Sequence, residues 1–79
     1  METTYTATFA SHYGAVHFKR TLEEKGYSAY LRPVPRSLSA SCGTCVVYTV
    51  PSWNTLLTPD LEGVYAPKED GYTCLWRHA

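Results

Sequence analysis

The spacing of apolar residues changes at Ser11, and this change constrains the fold more than any other feature of the sequence. In the segment TTYTATFA, residues 3–10, apolar and threonine side chains alternate, which is typical of a half-buried strand. After Ser11, whose hydroxyl can cap a helix, apolar residues recur every three or four positions. Residues 11–25 are therefore predicted to form an amphipathic helix, which Gly26 ends. The residues predicted to form its buried face are Ala15, Phe18 and Leu22.

The rest of the chain contains four more strand patterns and one short helix pattern. The strand patterns are YSAYLRPV at 27–34, TCVVYTV at 44–50, LEGVYAP at 61–67 and YTCLWR at 72–77. A short second helix is predicted over residues 51–57, where Pro51 or Ser52 can begin it and Pro59 stops it. The order β-α-β-β-α-β predicts an α+β protein with a ferredoxin-like sandwich, in which two helices cover one face of an antiparallel sheet. A possible extra strand follows at the C-terminus.

Length and charge limit what this protein can be. A chain of 79 residues is expected to form a single domain over residues 1–79. Its small core favours support from a disulfide, a metal or a second subunit, and we expect a homodimer. Because 7 basic and 7 acidic residues balance, there is no positive excess for non-specific binding of nucleic acid. No apolar run approaches the roughly 20 residues of a membrane span, and the start METTYTATFA does not have the pattern of a signal peptide. We therefore expect a soluble cytoplasmic protein.

Two of the three cysteines lie in the segment SASCGTC, which follows the stiff basic segment RPVPR. A nucleophilic cysteine must be accessible and must be present as the thiolate, which a nearby cation or backbone N–H group favours. Cys42 is the predicted reactive thiol, because it lies between a loop and a strand and has Arg36 nearby. Gly43 would let the backbone approach a bound group closely, and Ser39 and Ser41 could donate hydrogen bonds to it. In the alternative interpretation, Cys42 is a buried small apolar residue and the serines only form turns.

Two further hypotheses use more than one cysteine. The motif formed by Cys42 and Cys45 suggests thiol–disulfide exchange, but on a strand their Cα atoms would be about 10 Å apart, beyond the range of a disulfide. A zinc site is also possible in principle, because Cys42, Cys45, Cys74 and His78 have the spacing Cys-x2-Cys followed by Cys-x3-His. The competing prediction is that Cys45 is a packed strand residue and that Cys74 packs with Tyr72 and Trp76 on one face of the last strand.

The segments PVPR and SASCG carry a resemblance to a known family. The chain resembles the selenium/sulfur carrier-like family of small bacterial proteins, in which Pro-x-Pro-Arg is followed by Ser-x-Ser-Cys-Gly and an apolar strand. The resemblance covers roughly residues 5–65 and is most specific at residues 33–43. The other matching positions are Phe9, Ser11, Ala15, Leu22, Gly26 and the segment EGVY at 62–65.

The resemblance implies that Cys42 carries sulfur or selenium as a persulfide or selenopersulfide, with Arg36 as electrostatic support. It implies a carrier or accessory protein rather than a stand-alone enzyme, no cofactor, and unidentified donor and acceptor proteins as partners. The chain departs from the family pattern at Cys45, where a small residue is usual, and in the short segment predicted as the second helix. The implied chemistry therefore requires Cys42 alone.

Overall fold

The alternating residues at the start of the chain form the central strand of a five-stranded sheet. The computed structural model of the protein describes residues 2–78, and contains one helix and five strands in that range. In chain order the elements are β1 (Thr3–Phe9), α1 (His12–Glu24), β2 (Ser28–Pro33), β3 (Thr44–Val50), β4 (Leu61–Lys68) and β5 (Gly71–Arg77). Within residues 2–78, no helix is both long enough and apolar enough to span a membrane.

The strands pair in the order β2-β3-β1-β4-β5, and each neighbouring pair is antiparallel. β1 and β2 therefore run in the same direction on either side of β3, and α1 connects them. The predicted α+β class with an antiparallel sheet is confirmed, and so is the extra C-terminal strand, which is β5 at one edge. Both edge strands are largely exposed, and the homodimer remains a prediction.

One face of the sheet packs against α1 and contains the core. The ring of Phe18 contacts Phe9 of β1 and Tyr48 of β3 edge to face, with ring centres 5.0 and 5.2 Å apart. Each such aromatic pair contributes about 0.5–1.5 kcal/mol beyond the burial of its surface. The predicted buried face of the helix is confirmed. The core residues are Ala7, Phe9, Ala15, Phe18, Leu22, Ala29, Val46, Tyr48, Val50, Leu61 and Val64.

Both ends of α1 have the residues that the sequence predicts. Ser11 is the N-cap in an extended backbone conformation, and its hydroxyl oxygen accepts a hydrogen bond from the Gly14 N–H at 3.1 Å. Beyond the C-terminus, Gly26 has a φ of 89°, in the left-handed region that favours glycine. The predicted helix over residues 11–25 is therefore correct to within one residue at each end.

The predicted second helix over residues 51–57 is wrong, so a ferredoxin-like sandwich with two helices is not supported. The connection from β3 to β4 consists of turns and bends instead. The Ser52 hydroxyl donates to Asn54 Oδ1 at 2.6 Å, and the Thr55 hydroxyl donates to the Ser52 carbonyl at 2.6 Å. Such local bonds compete with helical hydrogen bonds. Moreover, only seven residues separate the two prolines that bound the segment, which is too few for a helix that must support itself.

The irregular connection nevertheless covers apolar surface. Trp53 and Leu56 pack against the core, and the Tyr48 hydroxyl donates to the Trp53 carbonyl at 3.4 Å. Tyr48 is 1% exposed, and this burial raises its pKa, so the hydroxyl remains a neutral donor. Trp53 and Leu56 thus cover apolar surface that the second helix was predicted to cover.

We expect Gly14→Ala to destabilise the protein by about 1–3 kcal/mol, the usual cost of overpacking. A Cβ atom at position 14 would lie 2.5 Å from the Cβ atom of Asp60, which is closer than these atoms can approach. In an unconstrained helix the same substitution stabilises by roughly 0.5–1 kcal/mol, so the sign of the change is diagnostic. Urea unfolding measures it.

Gly43→Ala is the matched control for this measurement. A Cβ atom at position 43 would meet no atom within 4 Å, so the free energy of unfolding should change by less than about 0.5 kcal/mol. If Gly14→Ala proves as stable as the wild type, Asp60 does not pack on α1 in the way described.

Candidate functional site

The loop that joins β2 to β3 carries most of the predicted site residues. We call residues 34–43 the Cys42 loop. At its base the Val34 N–H donates to the Gly43 carbonyl at 3.0 Å, which extends the pairing of β2 with β3 by one step. Inside the loop, the Leu38 N–H donates to the Pro35 carbonyl at 3.0 Å and forms a turn. The loop is therefore closed at its base by backbone hydrogen bonding.

The Glu62 side chain holds the Cys42 loop against the start of β4. Ser41 donates two hydrogen bonds to the Glu62 carboxylate, one from its N–H at 2.9 Å and one from its hydroxyl. Glu62 reaches the loop because the register of the β1–β4 pairing shifts between Thr8 and Phe9, which leaves Glu62 as the extra residue of a β-bulge. The sequence alone does not indicate this role, and its one signal is a carboxylate inside the otherwise apolar strand EGVY.

Cys42 is half-buried near the end of its loop. Its Sγ atom accepts a hydrogen bond from the Thr44 N–H at 3.4 Å. The Thr44 hydroxyl in turn lies 3.1 Å from Nδ1 of His12, the first residue of α1. No motif in the sequence indicates His12, and its contact with Thr44 beside Cys42 arises from the tertiary structure. The start of β3 thus borders the thiol, and the start of α1 contacts β3 at the same residue, Thr44.

The other predicted supporting residues are only partly gathered around Cys42. Arg36 is exposed in the loop and makes no ion pair with any residue in the described range 2–78. Gly43 does not have a positive φ, and open space surrounds it, so its conformation does not require glycine. Ser39 is exposed and lines a cavity together with Ser41.

The three cysteines are unpaired and lie in three different environments. Cys45 is 1% exposed, its thiol donates to the Pro33 carbonyl at 3.6 Å, and burial raises its pKa. The prediction that Cys45 is a packed strand residue is therefore confirmed. Cys74 is exposed on β5, and its thiol donates to the Trp76 carbonyl at 3.5 Å. The prediction that Cys74 packs with Tyr72 and Trp76 is wrong for Trp76, because the register shift between β4 and β5 puts Cys74 and Trp76 on opposite faces, while Tyr72 stays on the face of Cys74.

The sheet order separates the residues of the zinc hypothesis. Because β1 and β4 lie between β3 and β5, Cys45 and Cys74 are separated by three strand spacings, which is at least about 14 Å at about 4.8 Å per spacing. In the part of the chain that the structure describes, no three His, Cys, Asp or Glu side chains form a group that could hold a metal ion. A zinc site of Cys42, Cys45, Cys74 and His78 is therefore not supported. The dithiol hypothesis gains no support either, since Cys45 is buried and unpaired.

A cavity of about 470 Å³ lies beside the Cys42 loop. Residues 39–41 of the loop form part of its wall, and Thr8 and Tyr65 of the sheet form another part. Cys42 does not line the cavity, but it directly follows Ser41, which does. The charged or titratable residues of the wall are Asp60, Glu62, Tyr65, Arg77 and His78.

Comparison with known proteins points to one family. The family model described as "Putative Se/S carrier protein-like" matches residues 4–54. This range contains β1, α1, β2, the whole Cys42 loop and β3, but ends before β4 and β5. No curated protein and no solved structure matches the chain significantly.

We expect Glu62→Ala to loosen the Cys42 loop. A hydrogen bond to a charged group contributes about 1.5 kcal/mol or more, so the exchange rate of the Ser41 amide hydrogen should rise at least roughly tenfold. Hydrogen exchange followed by NMR gives this rate. Glu69→Ala, an exposed position between β4 and β5, is the control and should leave it unchanged. Unchanged exchange at Ser41 in Glu62→Ala would show that the carboxylate does not hold the loop.

We expect Cys45 to be the slowest of the three cysteines to react with iodoacetamide in the folded protein. Burial blocks access and raises its pKa, so the thiol stays protonated and unreactive to higher pH than an ordinary cysteine. Peptide mapping after brief labelling at pH 8, with and without urea, measures the difference. Cys74 in the same sample is the exposed reference, and equal rates for Cys45 and Cys74 without urea would contradict the burial.

Proposed function

Because the chain belongs to the family described as "Putative Se/S carrier protein-like", we propose that Cys42 carries sulfur or selenium as a persulfide or selenopersulfide. The observation that carries the proposal is the position of Cys42. It is the one cysteine that lies inside both the matched range and an accessible loop, half-buried and unpaired. Cys45 also lies in the matched range but is buried, and Cys74 lies outside that range.

The surroundings of Cys42 suit a carrier. A carrier thiol must be reached by a large donor and must still hold its cargo in one place. Cys42 lies in a loop whose base is closed by the hydrogen bond between Val34 and Gly43. The neighbouring residue Ser41 is held by the Glu62 carboxylate. The Thr44 N–H directed at Sγ fixes the orientation of the sulfur at 3.4 Å. An anchored loop reduces the ordering cost that a flexible segment would incur each time a partner docks.

The loading step is a persulfide exchange. The Cys42 thiolate attacks the terminal sulfur of a persulfide on a donor protein, and a new S–S bond forms at Cys42. The S–S bond of the donor breaks, and the donor cysteine leaves as a thiolate. The reaction exchanges one thiolate for another, so it needs no external oxidant or reductant. With selenium as cargo, the corresponding sulfur–selenium bonds form and break.

The exposed residues of the loop are suited to contact partners rather than to hold the thiol. Arg36 extends from the loop without an ion pair among residues 2–78, and Ser39 is also exposed. We therefore assign Arg36 to attraction of a negatively charged donor or acceptor protein to the Cys42 loop. The protein acts in this proposal as a carrier between two other proteins.

We expect the protein to gain the mass of one sulfur atom when it is incubated with a cysteine desulfurase and cysteine without reductant. Intact mass spectrometry detects the gain, and a reductant should remove it. Cys42→Ser should abolish the gain, since no other accessible cysteine lies in the matched range. Arg36→Ala should slow the gain without abolishing it, because long-range attraction affects the rate of encounter.

Two further variants make this experiment decisive. Cys74→Ser removes the most exposed thiol and should load like the wild type, which excludes unselective modification of accessible cysteines. Cys45→Ala should also load. Loss of loading in Cys45→Ala alone would favour the dithiol mechanism, and loading that persists in Cys42→Ser would refute the assignment of the carrier site.

A further inference from the structure

We propose that the cavity beside the Cys42 loop binds the zwitterionic end of a free α-amino acid whose side chain carries a thiol or persulfide. Arg77 would bind the carboxylate, and Glu62 and Asp60 would bind the ammonium group. The inference deepens the proposed function and rests on it for the transfer step. Binding itself does not depend on Cys42.

The cavity has the size of a small-molecule site. Its volume of about 470 Å³ lies within the range of roughly 300–1,000 Å³ that is usual for ligand pockets. Its wall comes from four separate parts of the chain: the Cys42 loop, β1, the start of β4 and the end of β5. Four segments that are distant in sequence therefore line one space.

Thr8 gives an independent indication of a ligand. It is a lining residue and is only 1% exposed, yet its hydroxyl has no hydrogen-bond partner among residues 2–78. A buried hydroxyl without a partner destabilises the protein, whereas valine would fill the same space without that cost. A polar ligand in the cavity would give the Thr8 hydroxyl the partner that the chain does not provide.

The charges of the wall favour a zwitterion over an anion or a cation. Arg77 is exposed and makes no ion pair within the described range, so its planar guanidinium is available for a carboxylate. Asp60 and Glu62 accept hydrogen bonds from Ser11 and Ser41, but each carboxylate has about four acceptor positions and can accept more. A pure anion would meet these two carboxylates, and a pure cation would meet Arg77.

The cavity lies next to Cys42 along the chain. Ser41 lines the cavity and Cys42 is the next residue, about 3.8 Å away from Cα to Cα. If the amino acid carries a persulfide on its side chain, the Cys42 thiolate attacks its terminal sulfur. The S–S bond within the ligand breaks, one forms at Cys42, and the free amino acid leaves as its thiolate. The exchange is balanced without any further reactant.

Binding is tested with S-methyl-L-cysteine, which has the zwitterionic end but cannot react with Cys42. In a titration to about 10 mM followed by NMR, the amide signals of the lining residues should shift and saturate. N-acetyl-S-methyl-L-cysteine does not have the ammonium group, and S-methylcysteamine does not have the carboxylate. Each should bind at least roughly tenfold more weakly, as expected for the loss of one charge-assisted contact. Equal binding of all three, or no saturable binding of any, would overturn the proposal.

Two variants test the named contacts. Arg77→Gln should weaken binding roughly tenfold, while Arg20→Gln, an exposed position on α1 outside the cavity, should not. Thr8→Val should raise the Tm by about 4 °C and also weaken binding, because it removes a hydroxyl that only the ligand satisfies. Thr8→Ser retains the hydroxyl and should bind more tightly than Thr8→Val. A rise in Tm with unchanged binding would mean that Thr8 does not contact the ligand and would remove the main support for the site.

The test separates this proposal from the carrier proposal. Cys42→Ser should bind S-methyl-L-cysteine like the wild type even though it cannot be loaded with sulfur. If the wild type binds the amino acid but is never loaded, the carrier function fails and the binding site stands. If it is loaded but does not bind the amino acid, the reverse holds.

Discussion

The short segment from Asp60 to Glu62, at the bulge that begins β4, connects every part of the candidate site. The Asp60 carbonyl accepts a hydrogen bond from the Ala10 N–H at 2.8 Å, and its carboxylate accepts one from Ser11, the N-cap of α1. Glu62 binds Ser41 of the Cys42 loop through its side chain, and its carbonyl accepts the His78 N–H at 2.8 Å. The carboxylates of Asp60 and Glu62 thus position the helix start and the loop, and the backbone carbonyl of Glu62 positions the end of β5. Without the register shift in the β1–β4 pairing, Glu62 would not be the extra residue that meets the loop.

The cavity beside the Cys42 loop needs residues from outside the part of the chain that the family model matches. The matched range ends at residue 54 and contains the loop, whereas Glu62, Arg77 and most of the cavity wall follow it. The thiol therefore belongs to the segment shared with the family. The residues that hold its loop and give the cavity its charge come from β4 and β5. In these proposals, the matched segment provides the thiol for sulfur transfer, and β4 and β5 provide the residues that select the ligand.

The fold also places the three cysteines in three different environments. The same thiol group is buried with a raised pKa at Cys45, half-buried in a closed loop at Cys42, and exposed on an edge strand at Cys74. Thiol reactivity depends on access and on the thiolate form, so the three placements give the three thiols different access to reagents and partners. In the small core, the aromatic contacts of Phe18 with Phe9 and Tyr48 pack α1 against β1 and β3.

The sequence by itself determined the elements whose pattern is local. The alternation of β1, the spacing of the helix face, the cap at Ser11 and the turn at Gly26 follow from periodicity and backbone preferences, which need no distant partner. The motif around Cys42 likewise identified the loop and the family. The second helix was wrong because its hydrogen bonds compete with those of Ser52 and Thr55 in a segment too short to resist them. Only the tertiary structure decided that Glu62 holds Ser41, that His12 borders the strand beside Cys42, and that Arg77 faces the same cavity as Thr8. These contacts depend on which strands pair and in what register, and a chain encodes that through the packing of its whole core rather than through any single segment.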